Sequence, residues 1–385
     1  MVVIRLYKPL FIYFLSVIAT GHIACNGSAG KFHRAPADEA QQSAEPPNSS
    51  RPSRELFPIK KSGAMGYINR AGDIVIPPHF DVARDFSEGL AAVAMKSGDR
   101  YVDETGQIVT RLKWGFIDET GQIVIPAQFD YVGRFSEGLA WVEMAKTGEE
   151  PKFGMNRHGY VDRMGKIVIA PQFSFLFDPH GVDDGRADFK HGLAVVKIRG
   201  EYGYIDRTGK VAIEADYSDA DSFTGGVAAV KLGDKYGYID TTGKFVISPR
   251  FNWAGRFSEG FAVVSGNRYI DRSGQVIIPG PFDLASRFSE GLAAVHIDGR
   301  VGYIDTSGRV VIKPDVDSGG GGFEGMAVVQ VGAKRGYIDQ TGTVVIRPQF
   351  DWAESFSGGL AKVYTNLNQF GYIDRTGKFV WGPSD

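Results

Sequence analysis

The sequence predicts an all-β protein built as a tandem array of about eight to nine repeats, each a three-stranded β-meander. Closely related segments recur along the chain, among them GYIDRTGKVAI from Gly203 and GYIDTSGRVVIKP from Gly302. The tyrosines that open successive units between Tyr204 and Tyr372 are 34, 31, 34, 34 and 35 residues apart, by subtraction of their numbers. Within each unit, polar and apolar residues alternate with the period of two that is typical of strands. A repeat of this length indicates small supersecondary units that stack on one another.

The unit that opens at Tyr236 shows the predicted order of elements. A first strand leads into the turn Asp240–Gly243, where Asp in the first position and Gly in the last fit a type I turn. A second strand ends at Pro249, which cannot donate a hydrogen bond to a neighbouring strand. A connector and a corner at Phe257–Gly260 then lead to the third strand. Each unit is therefore predicted to be a meander with a braced corner.

One meander buries too little apolar surface to be stable alone, so stacking has to supply the remaining burial. The aromatic side chains that recur in each unit are predicted to line a continuous core between units. In the connector these are Phe80, Phe129, Phe251, Phe282 and Phe350, and in the corner they are Phe86, Phe135, Phe257, Phe288 and Phe356.

The two ends of the repeat region bear on whether the array is open or closed. Leu56–Gly63 has the pattern of an isolated third strand, and Tyr372–Trp381 supplies only the first hairpin of a last unit. Together they would complete one meander and close a ring. The predicted number of units exceeds the usual four to eight propeller blades, and three strands fall short of the usual four. An open, twisted, solenoid-like array is therefore the first prediction, with a closed propeller-like ring as the alternative.

The N-terminal segment predicts export. Arg5 and Lys8 precede the apolar run Pro9–Thr20, which has the length of a signal-peptide core, so residues 1–24 are interpreted as a signal peptide. The only cysteine, Cys25, follows directly and is the candidate for lipidation; ordinary signal-peptidase cleavage remains the alternative. Residues 25–55 are rich in Pro, Ser and Ala and are predicted to be a disordered tether before the β domain at residues 56–385. The expected location is the periplasm or the cell surface.

Charge and composition exclude some classes of partner. The formal net charge is −2 and the isoelectric point is near 6.4, so the chain lacks the basic surface that nucleic acids require. Any membrane contact is expected only through the lipid anchor. A single cysteine leaves no role for an internal disulfide.

Two recurring acidic residues suggest metal binding or catalysis, but structural roles fit them better. The repeated turn aspartates lack the neighbouring oxygen ligands that Ca²⁺ requires and are predicted to cap turns. The corner glutamates occupy equivalent positions, whereas paired glycosidase carboxylates need unequal environments, so they are predicted to brace the corner by accepting a backbone N–H. The aspartates are Asp118, Asp162, Asp206, Asp240, Asp271, Asp305, Asp339 and Asp374, and the glutamates are Glu88, Glu137, Glu259 and Glu290.

The irregular third unit is the remaining place for a metal or catalytic site. Between His158 and His191 the connector is longer and carries His180 and several aspartates. No close ligand spacing such as His-x-x-x-His occurs there, and the chain has no GxSxG elbow and no phosphate-binding loop. We therefore expect no catalytic residue, no cofactor and no metal.

Three aromatic residues are candidates for ligand contact. Tyr131, Trp253 and Trp352 occupy matching positions just after the connector phenylalanine. Aligned rings on an array would stack on sugar faces or hold a peptide, while burial against neighbouring units is the competing interpretation.

The segment KWGFIDETGQIVIP from Lys113, followed by FSEGLA from Phe135, resembles the bacterial WG-repeat (KWG-repeat) family. The resemblance covers nearly everything from Leu56 to the C-terminus. The tryptophan that names the family survives only at Trp114 and is replaced in the other units, for example by Arg335. The resemblance implies a repeat architecture without common catalytic residues, in mostly exported or surface proteins, with interaction as the default function.

The sequence therefore predicts an exported scaffold that binds a protein partner through an extended β surface and catalyses no reaction. The alternative is a carbohydrate-binding module of the cell envelope. An enzyme or a metal site in the third unit is a more distant third.

Overall fold

A computed structural model describes residues 55–102, 108–144, 157–174, 185–320, 322, 324–366 and 369–384. Throughout these residues the regular structure consists of strands, which form nine small antiparallel sheets in chain order. The described part contains no helix with the length and apolarity that a membrane span needs. The signal peptide at residues 1–24, Cys25 and almost all of the tether lie outside the described residues, and these interpretations stay predictions.

The first sheet contains β1 (Phe57–Lys61), β2 (Ala64–Ile68) and β3 (Ile74–Phe80), and the second contains β4 (Val82–Ser87), β5 (Leu90–Val102), β6 (Ile108–Asp118) and β7 (Ile123–Phe129). The third contains β8 (Tyr131–Val132), β9 (Leu139–Met144), β10 (Arg157–Asp162) and β11 (Ile167–Phe173), and the fourth contains β12 (Leu193–Ile198), β13 (Glu201–Asp206) and β14 (Val211–Tyr217). The fifth contains β15 (Asp219–Ala220), β16 (Val227–Leu232), β17 (Lys235–Asp240) and β18 (Phe245–Phe251), and the sixth contains β19 (Ala262–Val264), β20 (Arg268–Ile270) and β21 (Val276–Ile278).

The seventh sheet contains β22 (Leu284–Ala285), β23 (Leu292–Ile297), β24 (Arg300–Asp305) and β25 (Val310–Val316), and the eighth contains β26 (Ser318–Gly319), β27 (Met326–Val331), β28 (Lys334–Asp339) and β29 (Val344–Phe350). The ninth contains β30 (Trp352–Ala353), β31 (Ala361–Tyr364), β32 (Phe370–Ile373) and β33 (Phe379–Ser384).

The all-β repeat fold is confirmed, but the sheets are out of phase with the predicted units. The third strand of a unit pairs with the hairpin that follows it, as β16 pairs with β17, and not with the hairpin that precedes it. The reason is the length of the connecting segments. A two-residue turn joins a third strand to the strand that contains the next tyrosine, as Ser62-Gly63 joins β1 to β2, and these two residues have φ values of 52° and 84°. Two positive φ values match the twist of a tight hairpin, whereas the connector on the other side is much longer. Each sequence repeat therefore contributes strands to two sheets.

The prediction of three strands per unit is also wrong for most of the array. Within the described residues, six of the nine sheets have four strands, because a two-residue or slightly longer strand directly after the connector phenylalanine pairs with the edge. In the fourth and sixth sheets, single bridges (Ser174 with Lys197, Ala254 with Val264) take its place. Such short elements are not visible in the alternation of the sequence, because two residues define no period.

The glycine that precedes the tyrosine is required by a close approach between strands. At Gly237, a Cβ atom would lie 2.6 Å from the carbonyl oxygen of Ile247 and 2.8 Å from the nitrogen of Pro249. The register between β17 and β18 shifts at this point, which brings the backbone of the bulged strand over the glycine. In the sixth sheet Arg268 occupies the glycine position, and there β21 pairs only over Ile278 and Val276.

Neighbouring sheets are joined by the tyrosine of each unit. The Tyr238 hydroxyl group donates a hydrogen bond to the Gly255 carbonyl oxygen at 2.8 Å, and its ring meets Phe257 edge-on with 4.8 Å between centroids. Tyrosine and acceptor lie in consecutive sheets, so the hydrogen bond fastens one sheet to the next; in the second sheet Phe116 takes this position and keeps only the edge-on ring contact, with Phe135. The same hydrogen bond, with lengths of 2.7 to 3.0 Å, is made by Tyr67, Tyr160, Tyr204, Tyr269, Tyr303 and Tyr337.

The corners form a second set of contacts between sheets. The Glu259 carboxylate accepts hydrogen bonds from the backbone N–H groups of Glu290 and Gly291, at 2.6 and 2.9 Å, and Ser258 donates to the Phe288 carbonyl oxygen at 2.7 Å. Glu88, Glu137, Glu290 and Glu324 repeat the carboxylate contact with the next corner. The predicted bracing role of the corner glutamates is confirmed, and the group they brace belongs to the neighbouring sheet.

The first and last sheets pack against each other by the same contacts. The Tyr372 hydroxyl group of the ninth sheet donates to the Pro58 carbonyl oxygen of the first sheet at 3.0 Å, and the Tyr372 ring lies 5.5 Å from that of Phe57. A buried cluster that includes Ile59 and Leu360 joins the two sheets. The described residues therefore form a propeller-like ring of nine sheets, the arrangement named as the alternative.

The ring closes without exchange of strands. β1 pairs with β2, the next strand in the chain, and the ninth sheet is complete with its own four strands. The predicted composite of Leu56–Gly63 and Tyr372–Trp381 is therefore wrong, because the tight turn after β1 already supplies its partner.

The predicted core aromatics lie inside, but the interior is divided into clusters between neighbouring sheets and is not one continuous core. Phe86 and Phe282 are only half-buried and pack against these clusters. The other eight are buried: Phe80, Phe129, Phe135, Phe251, Phe257, Phe288, Phe350 and Phe356.

The turn aspartates cap their hairpins. The Asp240 carboxylate accepts hydrogen bonds from the backbone N–H groups of Thr242 and Lys244 and from the Thr242 hydroxyl group, at 2.9, 3.1 and 2.6 Å. Among the described residues no group of three or more His, Cys, Asp or Glu side chains has metal-binding geometry. The hydrogen bond from the hydroxyl group lowers the pKa of the carboxyl, and the same holds for Asp206, Asp271, Asp305 and Asp339.

These turns predict that the protein is destabilised by acid. Each carboxyl has a lower pKa in the folded chain than in the unfolded chain, where it is about 3.9. Their stabilisation is therefore present above about pH 4 and is lost as the pH falls through the folded-state pKa. The free energy of unfolding, measured by urea titration, should decrease between about pH 5 and pH 3.

The chain offers its own control, because Asn69 caps the first hairpin with the same backbone contacts. Asp118 and Asp374 also have a lowered pKa, and replacement of all seven shifted aspartates by Asn should keep the fold and flatten the pH dependence. An unchanged slope in that variant would contradict the assignment.

Ring closure predicts that Tyr372→Phe destabilises the protein as much as Tyr238→Phe does. Each substitution leaves a carbonyl oxygen between two sheets without its donor, which costs about 1–2 kcal/mol of the free energy of unfolding. Tyr202→Phe is the matched control, since this half-buried tyrosine makes no such inter-sheet hydrogen bond among the described residues. If Tyr372→Phe resembles Tyr202→Phe in urea denaturation, the ends do not meet.

Candidate functional site

Exposed apolar residues recur at one place in the ring, the start of the last strand in each of the first eight sheets. These strands lie at the end of the strand order in their sheets, so one edge of each is unpaired among the described residues. We call these residues the edge belt, and each is between 38% and 52% exposed. The edge belt consists of Ile74, Ile123, Ile167, Val168, Val211, Val246, Val276, Ile277, Val310, Val344 and Val345.

Single exposed valines are ordinary, but the edge belt occupies the same two positions in successive sheets. The second half of these strands is protected against pairing with another chain by a bulge and, in several sheets, by a proline such as Pro249 or Pro348. The first half contains a second register shift, at Val246 in β18, but no proline, and its exposed side chains are apolar. The edge belt is therefore a regular apolar surface on which a partner finds similar contacts repeated from sheet to sheet.

The three predicted aromatic contacts lie in three different sheets. Tyr131 belongs to the third sheet, where it is half-buried against the core. Trp253, at the start of the sixth sheet, is 50% exposed. Trp352 belongs to the ninth sheet and is half-buried, with the Arg335 guanidinium group 3.3 Å from its ring centre. The three residues lie in three sheets that are not neighbours, and their role in ligand contact stays a prediction.

Trp352 lines a cavity of about 350 Å³ between the eighth and ninth sheets, which we call the 8–9 cavity. From the eighth sheet it is lined by residues of β26, β27 and β28, including Gln330 and Arg335. From the ninth sheet it is lined by Trp352 and the three residues after it, including Glu354. The ion pair between Lys334 and Asp351, at 2.6 Å, joins the same two sheets next to it.

Sequence reasoning named Trp352 but missed the other polar residues of the 8–9 cavity. Two signals were present in the sequence. The eighth sheet carries the run Gly319–Gly322 where other units have larger side chains, and Arg335 stands at the position of the family tryptophan. Neither signal predicts a cavity from the sequence alone, because the sequence does not show that these two segments line the same cavity.

The third unit carries buried polar residues in its described part. His158 and Glu143 are both buried and are directly opposite each other in β10 and β9. Burial lowers the pKa of His158 to about 4, so this side chain is neutral near pH 7. His180 and the aspartates from Asp178 to Asp184 lie outside the described residues, so the third alternative, an enzyme or metal site in this unit, is not tested.

Comparison with solved structures gives only weak likenesses. BamB from Moraxella catarrhalis has a TM-score of 0.42 at 13% identity, covering 72% of this chain and 89% of that chain. The dihydro-heme d1 dehydrogenase NirN has a TM-score of 0.41 at 12% identity, and the match covers 87% of this chain and 74% of that chain. Hsv2 of Kluyveromyces lactis has a TM-score of 0.34 at 13% identity, covering 48% and 70%. At these TM-scores the likenesses carry no inference about this chain.

A search of curated proteins finds no match. The family model described as "WG containing repeat" matches the chain eight times and covers more than half of it. The matched residues are 65–97, 114–146, 159–181, 202–236, 236–265, 268–300, 302–334 and 336–366. Because these eight matches recur along the chain and together cover more than half of it, the chain belongs to the WG-repeat family.

Proposed function

We propose that this protein is an exported, non-catalytic scaffold that binds a protein partner through the edge belt. The observation that carries the proposal is the repetition of half-exposed valine and isoleucine residues on the unpaired edges of successive sheets. Removing apolar surface from water stabilises a complex by about 25 cal/mol per Å². Because each side chain offers only a small area, affinity has to come from several neighbouring sheets at once.

The proposed partner is an extended or multidomain protein with apolar residues at matching intervals. The prolines and bulges leave only a few backbone groups free at each edge, so the partner does not simply add a long strand. Side-chain contact along the belt is therefore the main source of affinity. This mode needs no deep pocket and no catalytic group.

Lysine substitutions on the edge belt test the proposal. The triple variant Ile123→Lys, Val276→Lys and Val344→Lys places charges on three sheets and should abolish recovery of the partner in quantitative crosslinking from envelope extracts. The matched control carries the same charges one residue earlier, as Gln122→Lys, Gln275→Lys and Thr343→Lys. Several other units already have Lys or Arg at that position, for example Lys244, so the control should fold and bind normally.

The outcomes separate the proposal from its alternatives. Loss of one defined protein in the belt variant and its recovery with the control would support the proposal. Equal recovery of the partner with the wild-type protein, the belt variant and the control would overturn the proposal. Recovery of polysaccharide in place of a protein would favour the carbohydrate-binding module, and its loss on Trp253→Ala would assign it to the one predicted tryptophan that is 50% exposed.

Lipidation of Cys25 is proposed as the means by which the scaffold is held at a membrane. A diacylglycerol group on the Cys25 sulfur would anchor the chain, because each buried methylene group contributes about 0.8 kcal/mol. Cys25→Ala should move the protein from the detergent phase to the aqueous phase in Triton X-114 partitioning. His22→Leu, which restores the residue usual before such cysteines, should leave the protein in the detergent phase. A mature N-terminus other than Cys25, found by mass spectrometry, would contradict lipidation.

A further inference from the structure

The 8–9 cavity exists because the side chains that fill the equivalent space elsewhere are missing. In the second sheet, Trp114 is 6% exposed and packs in one cluster with Val132 of the third sheet. Arg84 closes that junction, since its guanidinium group lies 4.3 Å from the Trp114 ring centre and donates to the Val132 carbonyl oxygen at 2.7 Å. In the eighth sheet the position of Trp114 is held by Arg335, as the pairing of Trp114 with Phe129 and of Arg335 with Phe350 shows.

The glycines of the eighth sheet enlarge this space. A Cβ atom at Gly320 would meet no heavy atom within 4 Å, so this residue borders open space. Its φ lies outside the left-handed region, and the position therefore accepts any L-residue without backbone strain. A larger side chain at residue 320 would occupy part of the cavity without displacing a neighbour. In contrast, a Cβ atom at Gly319 would lie 2.8 Å from the Tyr303 hydroxyl oxygen.

Arg335 is the only basic residue that lines the cavity among the described residues. Its guanidinium group lies over the face of Trp352, 3.3 Å from the ring centre, which restricts its orientation. A guanidinium group held in this way presents N–H groups along its edge, and this fork matches the two oxygens of a carboxylate. The ring face of Trp352 that Arg335 covers is not free to stack on a sugar.

The rest of the lining supplies further hydrogen-bonding groups. Ser318 and Ser355 contribute hydroxyl groups, and Gln330 contributes an amide whose nitrogen already donates to the Gly332 carbonyl oxygen at 2.9 Å. The surrounding protein raises the pKa of Glu354 by desolvation, against the opposing effect of Lys362. Its carboxyl oxygens accept hydrogen bonds. Val328 and Ala353 add apolar wall.

We propose that the 8–9 cavity binds a small hydroxylated carboxylate of the hexuronic acid type, with its carboxylate on Arg335 and its hydroxyl groups on Ser318, Gln330, Glu354 and Ser355. One guanidinium group with several hydroxyl, amide and carboxyl groups around it fits a singly charged anion with hydroxyl groups better than a phosphate, which carries more charge. This site is separate from the edge belt, so either proposal can fail without the other.

The test is isothermal titration of the intact protein with D-glucuronate and D-galacturonate, and with D-glucose and D-galactose as their neutral counterparts. At least one uronate should bind, and its neutral counterpart should bind at least about tenfold more weakly. Arg335→Gln should weaken uronate binding by at least about tenfold, while Arg335→Lys should restore part of it because it keeps the charge without the fork.

Gly320→Leu serves as a second, independent variant, since it fills the cavity and leaves Arg335 in place. It should abolish binding and leave the melting temperature unchanged or higher. The control is Ser286→Leu, which adds the same side chain at the equivalent position of the seventh sheet and should bind uronate normally. Absence of binding by both uronates, equal binding of the neutral sugars, or normal binding by Gly320→Leu would each overturn the proposal.

Discussion

The ring depends on one hydrogen bond, from the hydroxyl group of a buried tyrosine to a backbone carbonyl oxygen of the next sheet. Tyr238 and Gly255 show the typical geometry, and Tyr372 and Pro58 repeat it across the closure. The tyrosine is central because it meets two needs at once. Its ring fills the space between two sheets, and its hydroxyl group satisfies a carbonyl oxygen that would otherwise be buried without a partner. Burial raises the pKa of these tyrosines, which keeps them neutral and able to donate.

The corners add a second hydrogen-bonded link between neighbouring sheets, and this link tolerates more variation. Five glutamates pass the carboxylate contact from one corner to the next, while His191 replaces it with a ring nitrogen that accepts from the Gly226 N–H at 3.3 Å. At Gly225 the position has no side chain at all. A ring with many equivalent junctions tolerates the loss of one corner contact, because the tyrosine at the same junction remains.

Variation at the family tryptophan position has a different consequence. Where Trp114 is present, the junction between two sheets is filled and closed by Arg84. Where Arg335 is present together with Gly319 and Gly320, the equivalent junction between the eighth and ninth sheets is hollow and has polar groups in its lining. The repeat therefore keeps the residues that join the sheets and changes those that fill the space between them. This division allows one fold to offer different local chemistry at different junctions, without loss of the ring.

The sequence by itself determined the repeat, the strands, the turn caps and the buried aromatics, because each of these depends on residues close together in the chain. Asp240 caps a turn whose donors lie two and four residues away, and the alternation around Tyr238 is a local property of the strand. Only the tertiary structure decided the phase of the sheets, the closure of the ring and the 8–9 cavity. The phase of the sheets follows from the lengths of the two segments that flank a third strand: a two-residue turn brings it next to the following hairpin, whereas a long connector separates it from the preceding one. The other two bring together residues far apart in the chain, such as Tyr372 with Pro58 and Gly320 with Trp352, and no local pattern records which distant residues share a space.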